Sequence, residues 1–311
     1  MELNNSYKST KIITDTIILD GRKSSNEIYQ EIKGKIVYLL EKDIIPFLAV
    51  ILVGERPDSM TYVKMKKRRC EKYGIDCKIY KYPVEVETDE IVQLVQELNQ
   101  DNKINGILVQ LPLPNHLNTN LILDSVVVEK DVDGFHTNNF GKMSLNSGPT
   151  FMPCTPRGCM EMLDRYNIEI EGKDAVIIGN SRVIGLPISL ALMYREATVT
   201  ICHIKTQNLK EKVQRADILV SACGCPEMVK GGWLKKGCVV IDVGISKVDD
   251  PTAKRGYRIV GDVEQSSARK VARAITPVPG GVGPMTIAML IKHTMEAAYI
   301  QNNLTFTSNN N

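Results

Sequence analysis

The sequence predicts an α/β protein of two domains, each built on a parallel sheet. Three observations carry this. The 311 residues are about twice the length of an ordinary domain. Apolar runs of strand length alternate with helical periods along most of the chain. One strand-turn-helix, DAVIIG followed by NSRVIGLP, has a glycine at each end of its turn, the form of a doubly wound dinucleotide-binding unit. Composition is that of a globular protein, 43% hydrophobic and 24% charged, with a formal net charge of +3. That balance argues against a nucleic-acid binder, and no apolar run approaches the roughly 18 residues of a membrane span. A protein acting on small molecules, with no nucleic-acid or membrane partner, is expected.

The elements follow in order. Residues 1–16 read as a short flexible leader, since Glu2 and Asp15 and the lack of an apolar stretch argue against a signal or transit peptide. Residues 23–42 space Ile28, Ile32, Val37 and Leu40 as a helix does. PFLAVILVG (46–54) is a buried strand, 59–73 a charged helix and CKIYKYPV (77–84) a second strand. Residues 88–101 form a helix with Ile91, Leu94, Val95 and Leu98 on one face and Thr88 and Asp89 as capping candidates. NGILVQLPLP (105–114) is a third strand ending in prolines. A second series gives a helix over 158–166, a strand at 174–179, a turn and helix through 180–197, a strand at 197–203, a helix near 210–215, and strands at 217–223 and 237–245. A Gly/Pro-rich loop then opens a last helix, 284–300, and the Asn-rich end from 301 reads as a frayed tail.

The eight cysteines, Cys70, Cys77, Cys154, Cys159, Cys202, Cys223, Cys225 and Cys238, are too sparse for a disulfide scaffold and read as buried reduced thiols. Cys223-Gly-Cys225 near Cys202-His203 lacks paired metal-ligand spacing, so no metal is expected.

Candidate chemistry falls at five places. In the turn, Gly179 permits a sharp bend, Gly185 a close helix–sheet approach, and the helix N-terminus suits a pyrophosphate, although the middle glycine of the usual fingerprint is missing. Tyr62 and Lys66, four apart, share a helix face, and a lysine in apolar surroundings has its pKa lowered towards use as an acid or base. Gln110 ends a parallel strand, where ligands bind. Asp131 and Asp133 share a face if their segment is extended. The loop ITPVPGGVGPMT (275–286), with three prolines and three glycines, is expected to touch a ligand.

Taken together and in this order, SxxYVxxK (59–66), GILVQLPLP, KDVDGFH (130–136), PCTPRG (153–158) and ITPVPGGVGPMT resemble the bifunctional methylenetetrahydrofolate dehydrogenase/methenyltetrahydrofolate cyclohydrolase family. The likeness runs from Asp20 to about Tyr299 and is nearest to plant members, through RYNIEIEGK and DDPTAKRGYRIVGDV. It implies a catalytic α/β domain, 17–150, completed by the C-terminal helix 284–300, and a Rossmann-type NAD(P)-binding domain, 151–283, with flexible termini at 1–16 and 301–311. It implies oxidation of 5,10-methylenetetrahydrofolate with NADP, then hydrolysis to 10-formyltetrahydrofolate. A monofunctional member, NAD-dependent or cyclohydrolase only, is the alternative. Retention of Tyr62, Lys66, Gln110 and Asp133 speaks against a non-catalytic folate- or nucleotide-binding protein.

By the same resemblance Lys66 is the catalytic lysine, Gln110 holds it, Tyr62 packs along the folate and Asp133 binds the pterin. Ser59, Pro279, Gly280 and Gly281 join them on the substrate side. Gly179, Asn180, Ser181, Arg182, Gly185, Lys205, Thr155 and Thr286 face the cofactor. Two positions depart from the family: Asn180 stands where arginine is common, and Ile204 lacks a hydroxyl for the NADP 2′-phosphate. Arg182 and Lys205 are the candidate substitutes, and NAD use is expected to compete more than usual. The resemblance also implies a homodimer through the Rossmann domain and a cytoplasmic protein, with plastid or mitochondrion as alternatives.

Overall fold

The computed structural model describes residues 16–148 and 151–305. In chain order, β1 (Ile17–Ile18) and α1 (Gly21–Leu40) lead into β2 (Phe47–Val53), α2 (Pro57–Tyr73), β3 (Asp76–Tyr82), α3 (Thr88–Gln100), β4 (Gly106–Val109), α4 (Thr119–Ser125) and α5 (Thr137–Ser144). The second half contains α6 (Cys154–Arg165), β5 (Asp174–Ile178), α7 (Gly185–Met193), β6 (Thr198–Cys202), α8 (Leu209–Val213), β7 (Ile218–Ser221) and β8 (Val239–Asp242). It ends with β9 (Ser246–Asp249), β10 (Tyr257–Val260), α9 (Gln265–Ala268), β11 (Ala274–Ile275) and α10 (Val282–Gln301).

Two parallel sheets result, as the alternating pattern requires. The smaller runs β3-β2-β4 and the larger β1-β11-β8-β7-β5-β6. The continuous apolar runs of β2 and β5 are buried because helices cover both faces. The β9–β10 pair is an antiparallel hairpin outside both sheets. Among the described residues no helix is long and apolar enough to cross a membrane.

One hydrophobic core joins the lobes. It contains Ile28, Ile32 and Ile36 of α1, Leu48 and Val50 of β2, Met160 and Leu163 of α6, Ala175 and Ile177 of β5, and a long row from α10. Helix α10 buries Met285, Ile287, Met289, Leu290, Ile291 and Met295, too many directions for a helix with one wet face.

Several boundaries differ from expectation for local reasons. Helix α6 starts at Cys154 rather than 158, because Pro156 falls in the first turn, where a missing N–H is tolerated. Helix α3 is capped by Glu87, whose N–H donates to the Glu90 carboxylate (3.3 Å), whereas Thr88 Oγ1 accepts the Asn118 N–H (3.0 Å). Residues 17–18, assigned by sequence to the first domain, pair with β11 in the larger sheet, Ile17 donating to Arg273 O and Leu19 to Ile275 O, both 2.9 Å. The expected flexible ends are corrected where they are described. The Thr16 hydroxyl donates to the carbonyls of Arg269 and Ala272. Gln301 is still helical and bonds Asn105 O and Glu129 O, both 2.9 Å. Residues 1–15 and 306–311 lie outside the described residues.

Lys130 escaped the sequence reading. Its buried ammonium donates to Leu98 O (3.0 Å), Asn99 O (2.8 Å) and Asp101 O (2.8 Å), satisfying carbonyls at the C-terminus of α3. Lys130→Met is expected to lower unfolding stability by about 2–4 kcal/mol, the scale for losing charge-assisted bonds and stranding their acceptors. Urea titration measures it, and a midpoint unchanged from wild type would show the cap to be dispensable.

Candidate active site

A cleft of about 310 Å³ opens between the lobes. Helix α2 supplies Ser59, Tyr62 and Lys66, the end of β4 supplies Gln110, and the segment between α4 and α5 supplies Asp133. Thr155, in the first turn of α6, and Thr286, in the second turn of α10, meet there at 3.0 Å between hydroxyls. Ser59, Tyr62, Lys66, Gln110, Asp133, Thr155 and Thr286 are therefore brought together.

The center of the cleft is a buried lysine. Lys66 is 7% exposed, and its Nζ donates to Gln110 Oε1 at 3.0 Å. The amide is oriented in turn: Gln110 Nε2 donates to Leu111 O (2.7 Å), and Gln110 N–H extends the β-ladder to Ile51 O (2.9 Å). Burial pushes the Lys66 ammonium below its ordinary pKa, and the Asp133 charge opposes this. Burial raises the Asp133 carboxyl, with Lys66 as the opposing charge. Tyr62 is also raised, by burial. The result is a lysine and a carboxyl displaced towards each other's neutral forms, an arrangement suited to moving protons near neutral pH.

Asp131 and Asp133 do not share a face, contrary to the extended reading. The Asp131 carboxylate accepts N–H groups from Gly134 (3.1 Å), Phe135 (3.1 Å) and His136 (2.8 Å), and the Asn139 amide (2.7 Å). It closes the loop, and Asp133 alone faces the cleft. The loop is clamped at Val132 O by the Cys154 thiol (3.3 Å) and by His293 Nδ1 (2.9 Å). Because the acceptor is a carbonyl, Nδ1 carries the proton. Burial holds His293 down to about 3, so it stays neutral.

Pro279, Gly280 and Gly281 lie outside the lysine cleft, in an adjoining cavity of about 230 Å³ that shares its Tyr62 wall. Gly179 and Gly185 lie at the C-terminal end of β5. A Cβ on Gly179 would stand 2.4 Å from Ala222 O, and one on Gly185 1.9 Å from Gly179 O, so the turn requires both glycines. Ser181 Oγ accepts from Ile184 N–H (3.2 Å) and Gly185 N–H (3.3 Å), so its hydroxyl also serves the turn itself. Asn180 is exposed. Arg182 lies in the same turn, and its Nη1 donates to Asn120 Oδ1 of α4 at 3.0 Å, spanning the lobes. Lys205 is exposed in the turn after β6, and Ile204 beside it is 97% exposed. His203-Ile204-Lys205-Thr206 contains no acid. A carboxylate there would repel a 2′-phosphate, so the tight turn and this neutral-to-basic edge fit a phosphorylated dinucleotide.

The sequence reading missed Val243 and Ile245, which wall the cleft after β8. It also missed two buried aspartates behind them. Asp242 accepts the N–H groups of Gly244 (3.0 Å), Asp262 (2.9 Å) and Val263 (2.9 Å), and burial raises it to about 7. Asp262 Oδ2 accepts from Cys223 N–H (2.8 Å) and Ser221 Oγ (3.2 Å). Among the described residues its Oδ1 is the one buried side-chain polar atom without a partner. An acid closing an apolar run, as in VVID and IVGD, was the available signal.

Comparison with known proteins matches this architecture. The model of the tetrahydrofolate dehydrogenase/cyclohydrolase catalytic domain fits residues 19–133, and that of the same family's NAD(P)-binding domain fits 153–302. The chain is 50% identical over 291 residues to bifunctional protein FolD 4, chloroplastic, of Arabidopsis thaliana, covering 93% of this chain and 81% of that one. It is 47% identical over 281 residues to bifunctional protein FolD of Geotalea daltonii, covering 90% and 98%. The crystal structure of the bifunctional FolD dehydrogenase/cyclohydrolase from Campylobacter jejuni superimposes with a TM-score of 0.88 at 45% identity, over 93% of this chain and 100% of that one. The Trypanosoma brucei enzyme, complexed with NADP cofactor and inhibitor, gives 0.89 at 36%, over 94% and 99%.

Asp133→Asn removes the charge that supports the Lys66 ammonium, so its pKa should fall further. A lysine amine reacts with an acylating reagent only when neutral. Labelling of the Lys66 peptide, followed by mass spectrometry, should therefore reach half-maximal rate at lower pH than in wild type. An unchanged or higher midpoint would show that the two groups do not interact.

Proposed function

The chain belongs to the tetrahydrofolate dehydrogenase/cyclohydrolase family, and from that premise we propose both reactions for this cleft: oxidation of 5,10-methylenetetrahydrofolate with NADP and hydrolysis of the methenyl product to 10-formyltetrahydrofolate. The observation that carries the reading is the buried Lys66 held at 3.0 Å by Gln110, with Asp133 on the same wall. NADP, bound at the C-terminal edge of the larger sheet, supplies the hydride acceptor for the first reaction. Tyr62 lies along the substrate's aromatic ring, Ser59 beside it, and the Asp133 carboxyl meets the donor edge of the pterin. Thr155 and Thr286 face the cofactor side.

In the hydrolysis, water adds to the methenyl carbon and one of its protons passes to neutral Lys66 Nζ. The resulting carbinol loses its hydroxyl proton as the carbon–N5 bond breaks, and N5 takes up a proton. The formyl group stays on N10, and one proton is released overall. A lysine with lowered pKa can accept and return that proton near pH 7. Gln110 keeps Nζ on the reacting side.

The 2′-phosphate contact we assign to Lys205, because Arg182 is committed to Asn120. We propose a homodimer through the Rossmann lobe; the position of β6 at the sheet edge, with Ile201 exposed, supports it. We propose a cytoplasmic location, with plastid and mitochondrion as the alternatives that localisation of a C-terminal fluorescent fusion would reveal.

Lys66→Met is expected to reduce methenyl hydrolysis by about 10²–10⁴ while circular dichroism remains native, and a near-wild-type rate would remove Lys66 from the mechanism. Lys205→Ala should raise the KM for NADP roughly fivefold, the scale of about 1 kcal/mol for an exposed ionic contact, and leave that for NAD unchanged. Equal changes for both cofactors would place the phosphate elsewhere.

A further inference from the structure

Asp133 reaches the cleft from a short turning segment, and one peptide unit sets its direction. That unit joins Val132 to Asp133. Its carbonyl accepts the His293 Nδ1 proton from α10 at 2.9 Å and the Cys154 thiol from α6 at 3.3 Å, and the two donor atoms lie 3.7 Å apart. A peptide is planar, so a carbonyl held in direction also fixes the plane in which the Asp133 N–H and Cα lie. The neighbours cannot yield. A Cβ on Gly106 would stand 2.8 Å from both Val132 methyls, and one on Gly134 would stand 2.4 Å from Phe151 O.

His293 is itself enclosed. It is 4% exposed, and the Phe151 ring is tilted against it at 5.2 Å. Burial holds its pKa down to about 3, and Arg157 and Lys292 push the same way, so it serves as a neutral donor. Lys66, by contrast, is sensitive to charge. After burial, the groups acting on it are Asp133 from this segment, Cys154 from α6, Cys70 from α2 and Cys77 from β3, with Asp133 first. Asp133 is the member of that set whose backbone hangs on the Val132 carbonyl. A neutral side chain that holds this carbonyl therefore reaches the lysine through the placement of the carboxyl.

We propose that His293 is a positioning residue for the chemistry of the cleft: by holding the Val132 carbonyl it keeps the Asp133 carboxyl facing Lys66. This rests on the function proposed above, in which Lys66 moves the proton and Asp133 meets the pterin. Misplacing Asp133 would deprive the lysine and the substrate of a common partner, although His293 lies in the middle of a helix and meets neither reacting group.

The test compares His293→Leu, which removes the donor, with two amides. The Asn nitrogen stands as many bonds from Cα as Nδ1 does, and the Gln nitrogen stands one bond further. Acylation of the Lys66 peptide is followed against pH by mass spectrometry, in each variant alone and combined with Asp133→Asn. His293→Leu should move the midpoint to lower pH, because the ammonium loses its supporting charge. With Asp133→Asn already present it should move nothing further. His293→Asn should keep the wild-type midpoint, and His293→Gln should not. On 5,10-methenyltetrahydrofolate, His293→Leu should lower kcat/KM by roughly 10²-fold, the scale of a small misplacement at a reacting centre, and His293→Asn should restore most of it. A midpoint that does not fall, or that falls equally in the Asp133→Asn background, would assign His293 to packing alone and overturn the proposal. So would Asn and Gln variants that behave alike, the comparison that decides if His293→Leu does not fold. A wild type inactive on the methenyl substrate would overturn the folate reading, while the labelling series would still judge His293.

Discussion

The burial of α10 is the constraint on which the remaining geometry depends. A helix apolar on most of its circumference must be enclosed, and here α1, α6 and the smaller sheet enclose it. Its entry is consequently crowded. The Gly280-Gly281 backbone lies against Gly21 and Arg22, Thr286 reaches Thr155, and one turn further on Gly158 lies against Met285, where a Cβ would stand 2.9 Å from the Met285 Cβ. His293, two turns deeper, holds the carbonyl of Val132 and with it the loop bearing Asp133. The helix thus positions both walls of the cleft while contributing few groups to the chemistry.

Within that frame the electrostatics centre on one ammonium. Lys66 is far from bulk water, and a neutral amide and a carboxyl of raised pKa are its partners. Neither stabilises a full positive charge as strongly as an exposed setting would, so the lysine is kept near the point of giving up its proton. Full ion pairing with a carboxylate of ordinary pKa would work against this, because it would lock the ammonium form. Asp131, held by three backbone donors and Asn139, faces away from the cleft and acts on this balance only through its charge, which helps raise the Asp133 carboxyl.

What could be read from sequence follows a physical division. The strands β2, β5, β7 and β8 were legible because continuous apolar runs bounded by turns have few other uses. Helical spacing placed Tyr62 and Lys66 on one face and the strand end placed Gln110, but their roles came from the resemblance carried by the ordered motifs. Residues whose role depends on a partner distant in the chain were not legible. Nothing local says that Lys130 caps a helix thirty residues earlier, that Ile17–Ile18 pair beyond residue 270, or that Arg182 bonds Asn120 across the lobes. Asp131 misled for a related reason: alternation assigns faces only in an extended segment, and this one turns.

The shared core also bears on how the protein is made. Synthesis runs from the N-terminus onward, and α10 emerges after every other element described above. Until residue 301 is free of the ribosome, the apolar faces of α1, α6 and β2 have lost their common partner, although the flanking strands can already pair. Until that point the nascent chain carries an open hydrophobic seam, a form that chaperones recognise and that invites association with neighbouring chains. Closure of that seam, and assembly of the cleft that depends on it, waits for α10.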